Sequence, residues 1–571
     1  MRTFFIAVAA GCLALSGPLP AANNYVQHNL VSAAAGLADR SDPSLAAPWG
    51  IAFSSTGPFW IANQGTGVAT VYNSAGAPAT GPVNLPGQPA AIVRNSAPDF
   101  LVAPGVPALF LFSSAAGTIS AWNNSALGGS AAVKIDHSQS GAVYTGLAQA
   151  AYAGGWALYA VNFHAGTVEV YDGNFNQFSA PGGFQDPSLP PGYVPFNIWA
   201  AGNKLYVSFA LQDAGKTNPV AGPGNGFLDL FDVNGSLVQR VGGGAPLNAP
   251  WGMAIAPPKF GDFAGALLVA NFGDGTVDAF DLVNSRLLGV LGNVAGQPLS
   301  IPGLRALAVG NGSGAGDSNT VYFTATATGG LFGGLQAAPI IGNNGIVNAA
   351  GYQLGAAPST YVSILGNNLA STTRSWQSSD FVNGALPRSL DGVSVTVNGV
   401  PAYIAYISPT QLNVLLPSAT SPGSLTVTNQ SLAGTPVPLQ FYPLAPAFFQ
   451  FGNSGFVAAL HSDGTLIGPL GMFSSSTRPA RAGEVISLYG NGFGPTGPSA
   501  PDGSLIPSPL AVLSEPLILI GGQPAQVIYG GLVNAGLYQF NVVVPQIDPG
   551  NATVTAQLGS AISPAAMLAV Q

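Results

Sequence analysis

The sequence predicts an all-β chain: a six-bladed β-propeller followed by two β-sandwich modules. Three observations carry this reading. The 571 residues hold only 22 acidic and 14 basic side chains, whereas Gly (77) and Pro (48) are abundant and the apolar fraction is 47%. Such a chain is too apolar for disorder, and its turn-formers disfavour long helices and suit short strands. A strand-turn unit recurs six times in the first 336 residues, and a different, collinear duplication fills the remainder.

The first unit reads Gly67-Val68-Ala69-Thr70-Val71-Tyr72-Asn73. Equivalent copies begin at Gly117, Gly166, Gly226, Gly275 and, in degenerate form, Gly330, at spacings of 50, 49, 60, 49 and 55 residues. The glycine supplies a hairpin turn, alternating residues give a strand with one buried face, and the aromatic five residues on (Tyr72, Trp122, Tyr171, Phe231, Phe280) anchors that face. An apolar strand precedes each glycine, as in Phe59-Trp60-Ile61-Ala62 and Leu267-Leu268-Val269-Ala270. A small-residue strand lies further upstream: Ala47-Pro48-Trp49-Gly50-Ile51-Ala52 is nearly repeated as Ala249-Pro250-Trp251-Gly252-Met253-Ala254, and Leu304-Arg305-Ala306-Leu307-Ala308 takes the same place in the last unit. Small residues suit the crowded centre of a radial array. Three or four strands per unit, six times over, give a propeller over 23–336, with residues 25–32 closing the ring as a strand of the last blade.

These units resemble NHL-type propellers, whose blades run Pro-x-Gly-Ile-Ala, an apolar strand, Asn or Asp, a glycine turn and an aromatic. The resemblance covers about 25–336. It implies the fold, and leaves open a binding platform, a lyase or a lactone hydrolase.

Residues 337–345 read as a linker. In the second region 361–369 matches 485–493, 397–402 matches 520–525 and 411–417 matches 539–545, at offsets of 124, 123 and 128. Alternating strands between Gly, Pro and Asn turns give two sandwich modules, 346–445 and 446–571. The Gly-Asn-x-Leu/Phe turn (Gly366-Asn367-Asn368-Leu369, Gly490-Asn491-Gly492-Phe493) and the Asn-Val-x-x-Pro strand resemble the IPT/TIG branch of Ig-like folds. Residues 340–571 also resemble an uncharacterised C-terminal domain recurring in secreted acidobacterial proteins, to which Phe448-Phe449, Asp463-Gly464-Thr465 and Pro479-Ala480-Arg481-Ala482-Gly483 correspond.

The chain opens with a basic start at Arg2, an apolar run from Phe4 to Leu15 and a small pair, Ala21-Ala22. This is the layout of a secretory signal peptide over 1–22, with an apolar part too short to span a bilayer. A lipoprotein cut before Cys12 would leave only seven apolar residues, which argues against it. Since Cys12 is the only cysteine, the exported chain has neither disulfides nor thiol chemistry. The expected location is extracellular or periplasmic, with no membrane span.

The formal charge of −8 and pI near 4.7 exclude a generic nucleic-acid binder. Four histidines (His28, His137, His164, His461) show no metal-ligand spacing, and no Gly-x-Ser-x-Gly elbow or phosphate-cradling loop is present. Four residues before the turn glycines stand Asn63, Ser113, Asn162, Asn271 and Thr326, a polar set that either rings a ligand or caps its own turns. Beside them Gln64, Phe163, His164, Phe272 and Asp274 complete a candidate rim: Asn63, Gln64, Asn162, Phe163, His164, Asn271, Phe272 and Asp274, with aromatics that would suit sugar stacking. Glu169, Asp229 and Asp278 share one strand position in three blades; an acid ring there could take Ca²⁺, although Thr70 and Ser120 occupy it in two others. A polar insertion, 212–225, carries Lys216 and reads as a connection between blades three and four.

The expectation is an exported, non-catalytic binding or adhesion protein that presents a propeller face to an extracellular polysaccharide or surface protein, with the sandwiches as spacers and no cofactor unless Ca²⁺. The alternatives are a propeller lyase or lactone hydrolase with a channel-bound divalent cation, and a structural protein of the envelope or matrix.

Overall fold

The computed structural model describes residues 24–293, 295–430, 432–452, 454–473 and 477–571; the signal-peptide reading and Cys12 lie outside them. The chain divides into two compact units at Ala337/Ala338.

The first unit is built from six blades of four antiparallel strands, to the last of which the short strand Arg40–Ser41 adds a parallel fifth. Their inner strands are Pro48–Ala52, Pro89–Arg94, Tyr144–Tyr152, Tyr193–Ala201, Pro250–Ile255 and Leu304–Val309. Each touches the next, and the sixth returns to the first, which closes the ring. In blade 1 the order continues outward through Phe59–Asn63, Val68–Tyr72 and Pro78–Asn84, and the other blades repeat it. The last blade takes its outer strand from Tyr25–Ser32, which pairs antiparallel with Leu331–Ala337. The ring is therefore shut by hydrogen bonds between its first and last strands, which tie the two ends of this unit into one blade.

The anchors sit where the repeat places them. Tyr72, Trp122, Tyr171, Phe231 and Phe280 lie at or next to the end of the third strand of blades 1 to 5, opposite Phe59, Phe110, Leu158, Leu205 and Leu267, and all are buried. Leu335 takes the position in blade 6. Gly67, Gly117, Gly166 and Gly275 have the positive φ expected of a turn. Gly226 differs: it begins the strand Gly226–Asp232, and a Cβ there would come within 2.5 Å of Pro250. The 212–225 insertion belongs inside blade 4, between its second and third strands, rather than between blades.

The inner strands carry a shared irregularity. Each has one residue more than its partner, just after the first paired residue in five blades and after the third, Pro195, in blade 4: a β-bulge that turns the extra side chain out of the alternation. In blades 1, 3, 5 and 6 the residue following the first paired one is Trp49, Thr145, Trp251 and Arg305; in blade 4 Phe196 stands at the irregularity, after Pro195. Blades 1, 3 and 5 then have a glycine (Gly50, Gly146, Gly252) where the neighbouring inner strand passes closest; a Cβ on Gly252 would lie 2.1 Å from the Arg305 carbonyl oxygen.

The second unit holds two sandwiches. In the first, a sheet containing Ile340–Asn348, Tyr361–Asn367, Gln411–Leu415 and Tyr403–Ile407 accompanies one containing Val393–Val397 and Gly423–Asn429, around a core of Val362, Ile364, Val395, Ile404, Val414 and Val427. Most of the segment read as a linker is thus strand, pairing with Tyr361–Asn367. In the second, Val485–Asn491 pairs Leu537–Val543 around a core that includes Ile486, Leu488, Phe540 and Val542. The duplication is visible atom by atom. Ser363 Oγ donates to Asn413 Oδ1 at 2.9 Å and Gln411 Nε2 to the same oxygen at 2.9 Å. Ser487, Asn541 and Gln539 repeat the arrangement at 2.9 and 2.8 Å.

Candidate functional site

The six inner strands enclose an axial cavity of about 770 Å³. Its walls are Ile51, Ile92, Leu147, Ile198, Met253 and Leu307, one from each blade. Towards the ends of the inner strands Phe53, Arg94, Gln149, Trp156 and Trp199 also line it. Trp156 and Trp199 are half-buried, so aromatic surface is accessible there beside a cation and an amide. Gln149 is fixed by donating Nε2 to Asn95 Oδ1 (2.6 Å) and accepting from Ser96 N (2.9 Å). Arg94 Nη1 donates to the Leu109 carbonyl at 2.9 Å.

The opposite end of the axis is filled. Trp49 meets Trp251 edge-on at 5.6 Å, and Trp251 Nε1 reaches the Thr145 carbonyl at 3.1 Å. Residues of blades 1, 3 and 5 therefore meet on the axis, and Arg305 of blade 6 lies over Trp49.

The rim residues of the sequence reading lie at this filled end, and most face inward. Asn63, Asn162 and Asn271 share one register, each opposite the first paired residue of its inner strand. All three are buried. Ser113 stands one residue earlier than that register and Thr326 one beyond its strand, so the five do not form one ring. The asparagines bond within their blades. Asn63 Nδ2 donates to Thr70 Oγ1 (2.9 Å), Asn162 Nδ2 to Glu169 Oε1 (2.7 Å) and Asn271 Nδ2 to Asp278 Oδ2 (2.8 Å). Blades 2, 4 and 6 solve the bulge differently: Ser113, Ser208 and Thr324 hydroxyls accept the amides of Ala91, Asn197 and Ala306. Phe163 is fully buried against Phe196, 5.3 Å between ring centroids, and offers no stacking face. Phe272 is half-buried and covers Arg305. Gln64 and His164 are half-buried, and exposed Asp274 accepts from Thr276 and Asn248.

The three acids also serve their own blades. Asp278 is buried beside Asn271, and burial pushes its pKa up to about 6, with the Asp274 charge adding to the effect. Asp229 is pushed up to about 7 by burial, against the opposing hydrogen bond from Arg240 Nε at 2.9 Å; neighbouring Asp186, also paired with Arg240, adds to the rise. Glu169 is opposed by burial too, but Asn162, Tyr144 and Tyr171 all donate to it and hold its pKa below the usual value. Tyr144 and Tyr171 donate to Oε2 at 2.5 and 2.6 Å, and His137 Nδ1 lies 2.8 Å from the Tyr144 oxygen. Among the described residues no group of three or more His, Cys, Asp or Glu is placed to hold a metal ion. His28 faces Asp39, and buried His461 faces Glu484 at 2.5 Å and the Arg478 carbonyl at 3.0 Å.

Sequence reasoning missed Arg305 and the Tyr144–Tyr171–His137 network. Arg305 carried a signal: it is a charge within a small-residue inner strand, in a chain that is 6% charged.

The molecule is thus a β-propeller protein whose chain continues into an Ig-like region. The model of the IPT/TIG domain matches residues 354–442. Uncharacterized protein R648 of Acanthamoeba polyphaga mimivirus is 33% identical over 325 residues, covering 54% of this chain and 78% of that protein. Uncharacterized protein L690 of the same virus is 31% identical over 338 residues, covering 56% and 87%. The chain belongs to the same family as these two proteins. Among solved structures, streptogramin B lyase is similar at 10% identity and a TM-score of 0.36 (55% of this chain, 98% of that one). The calcium-binding protein regucalcin from Agrobacterium tumefaciens is similar at 12% identity and 0.29 (52% and 92%). Among the described residues no helix is long and apolar enough to cross a membrane.

Proposed function

We propose that this is an exported, non-catalytic binding protein whose propeller takes a segment of an extracellular polysaccharide, with the sandwich modules as spacers. The observation that supports it is the axial cavity, where Trp156 and Trp199 offer aromatic faces beside Arg94 and Gln149. Sugar rings stack on aromatic faces through their C–H groups, while guanidinium and amide groups bond hydroxyls. The acids that a cation-dependent enzyme would need are engaged by neighbouring side chains: Glu169 by Asn162, Asp278 by Asn271, and Asp229, with Asp186 beside it, by Arg240.

Co-sedimentation of the full chain with a panel of insoluble polysaccharides tests the reading. Retention on at least one glycan is expected, weakened at least tenfold in Trp199→Ala. Failure on every glycan overturns it in favour of a surface protein as ligand.

A further inference from the structure

Arg305 stands apart from every other charged side chain in the propeller. It is 7% exposed, and its guanidinium lies between two rings, with Cζ 3.9 Å from the Trp49 centroid and 3.5 Å from that of Phe272. Nε and Nη1 are buried with no hydrogen-bond partner, and so is Nε1 of Trp49. Trp251, the counterpart of Trp49, gives its Nε1 to the Thr145 carbonyl, so the missing acceptor is particular to the Trp49 side. Among the described residues no carboxylate forms an ion pair with Arg305. Burial alone lowers its pKa well below arginine's ordinary value.

This arrangement is costly as it stands. A buried charge without a counter-charge is destabilising, and two aromatic faces offset only part of that. An apolar residue would fill the position more cheaply, as Phe196 does in blade 4. The orphaned atoms are all donors, two on the guanidinium and one on the indole ring that it lies over. What completes such a set is an acceptor with negative charge. With both guanidinium faces covered by rings, a ligand would meet its edge, where Nε and Nη1 are buried without partners; that is the geometry in which arginine binds planar or tetrahedral oxyanions.

We propose that Arg305 and Trp49 Nε1 form an oxyanion-binding site on the propeller axis, taking a carboxylate or phosphate group of a small ligand at the edge of the guanidinium that Trp49 and Phe272 sandwich. The site lies at the filled end of the axis, goes beyond the polysaccharide reading and does not rest on it. Phe272, the half-buried member, is the cover past which a ligand enters.

The test titrates the full chain with sodium acetate and, separately, inorganic phosphate at constant ionic strength set by sodium chloride, following tryptophan emission and melting temperature. A saturable response to at least one oxyanion is expected, and the arm that saturates identifies carboxylate or phosphate chemistry. The apparent affinity should fall at least tenfold in Arg305→Met, which without oxyanion should melt no lower than the wild type, and at least fivefold in Phe272→Ala. No saturable response in the wild type, an equal response to chloride alone, or an undiminished response in either variant overturns the proposal. The wild-type arms and Phe272→Ala decide the matter even if Arg305→Met does not fold.

Discussion

Asn271 donates its side-chain amide to Asp278 at 2.8 Å across the hairpin of blade 5, seven residues apart, with both side chains buried. The same seven-residue relation joins Asn63 to Thr70 and Asn162 to Glu169. Two sets of residues that look like separate ligand rings in sequence are thus partners of each other, once in every second blade.

The Asp278 carboxylate gives a pH signature. Its pKa rises on folding to about 6, so the folded state binds the proton more tightly than the unfolded chain. The associated stability is complete below the ordinary carboxylate pKa and is lost as pH rises through about 6. Asp278→Asn, which keeps an oxygen for Asn271, should therefore be more stable than the wild type at pH 8 by on the order of 2 kcal/mol, with the difference gone by about pH 4. Urea unfolding across that range measures it; a difference that does not vary with pH contradicts the assignment.

Close approach of the inner strands makes Gly252 irreplaceable. A methyl there would sit 2.1 Å from the Arg305 carbonyl, and backbone cannot yield as a flexible side chain can. Gly252→Ala should cost roughly 3 kcal/mol or more. Gly105→Ala, at φ +73° with no atom near its Cβ, should cost only about 1 kcal/mol. Equal melting temperatures for the two variants would count against the packing described.

The duplicated sandwich core makes a paired prediction. Asn413 accepts from Ser363 and Gln411, and Asn541 accepts from Ser487 and Gln539. Replacing either asparagine by Leu strands two donors and should destabilise by about 1–3 kcal/mol. Unfolding followed for both variants should show similar losses; a neutral result at one site would mean that its network is not closed.

Much of this was legible in the sequence because repetition exposes it. The aromatic anchors and the paired sandwich motifs recur in step along the chain, and each recurs for a reason of packing or turn geometry; the strand closing the ring follows from the count of blades. What spacing could not show was register. The turn between the second and third strands is 64–67 in blade 1, 115–117 in blade 2 and 326–330 in blade 6, so Ser113 and Thr326 match Asn63 by count but not by pairing. Gly226 copied the turn glycine while serving as a contact point for Pro250. Residues 337–345 looked like a linker because Gly342, Asn343, Asn344 and Gly345 interrupt the apolar pattern, yet the strand Ile340–Asn348 resumes its pairing after that irregularity. Arg305 was hidden for another reason: whether a charge has a partner depends on blades far away in sequence.

Hydrogen exchange followed by mass spectrometry over 25–32 tests the closed ring most directly. If Tyr25–Ser32 is the outer strand of blade 6, its amides paired with Leu331–Ala337 should exchange as slowly as those of the blades, through the same global opening. Exchange of that segment within seconds, alongside protected blades, would mean that the ring is not closed by its first strand.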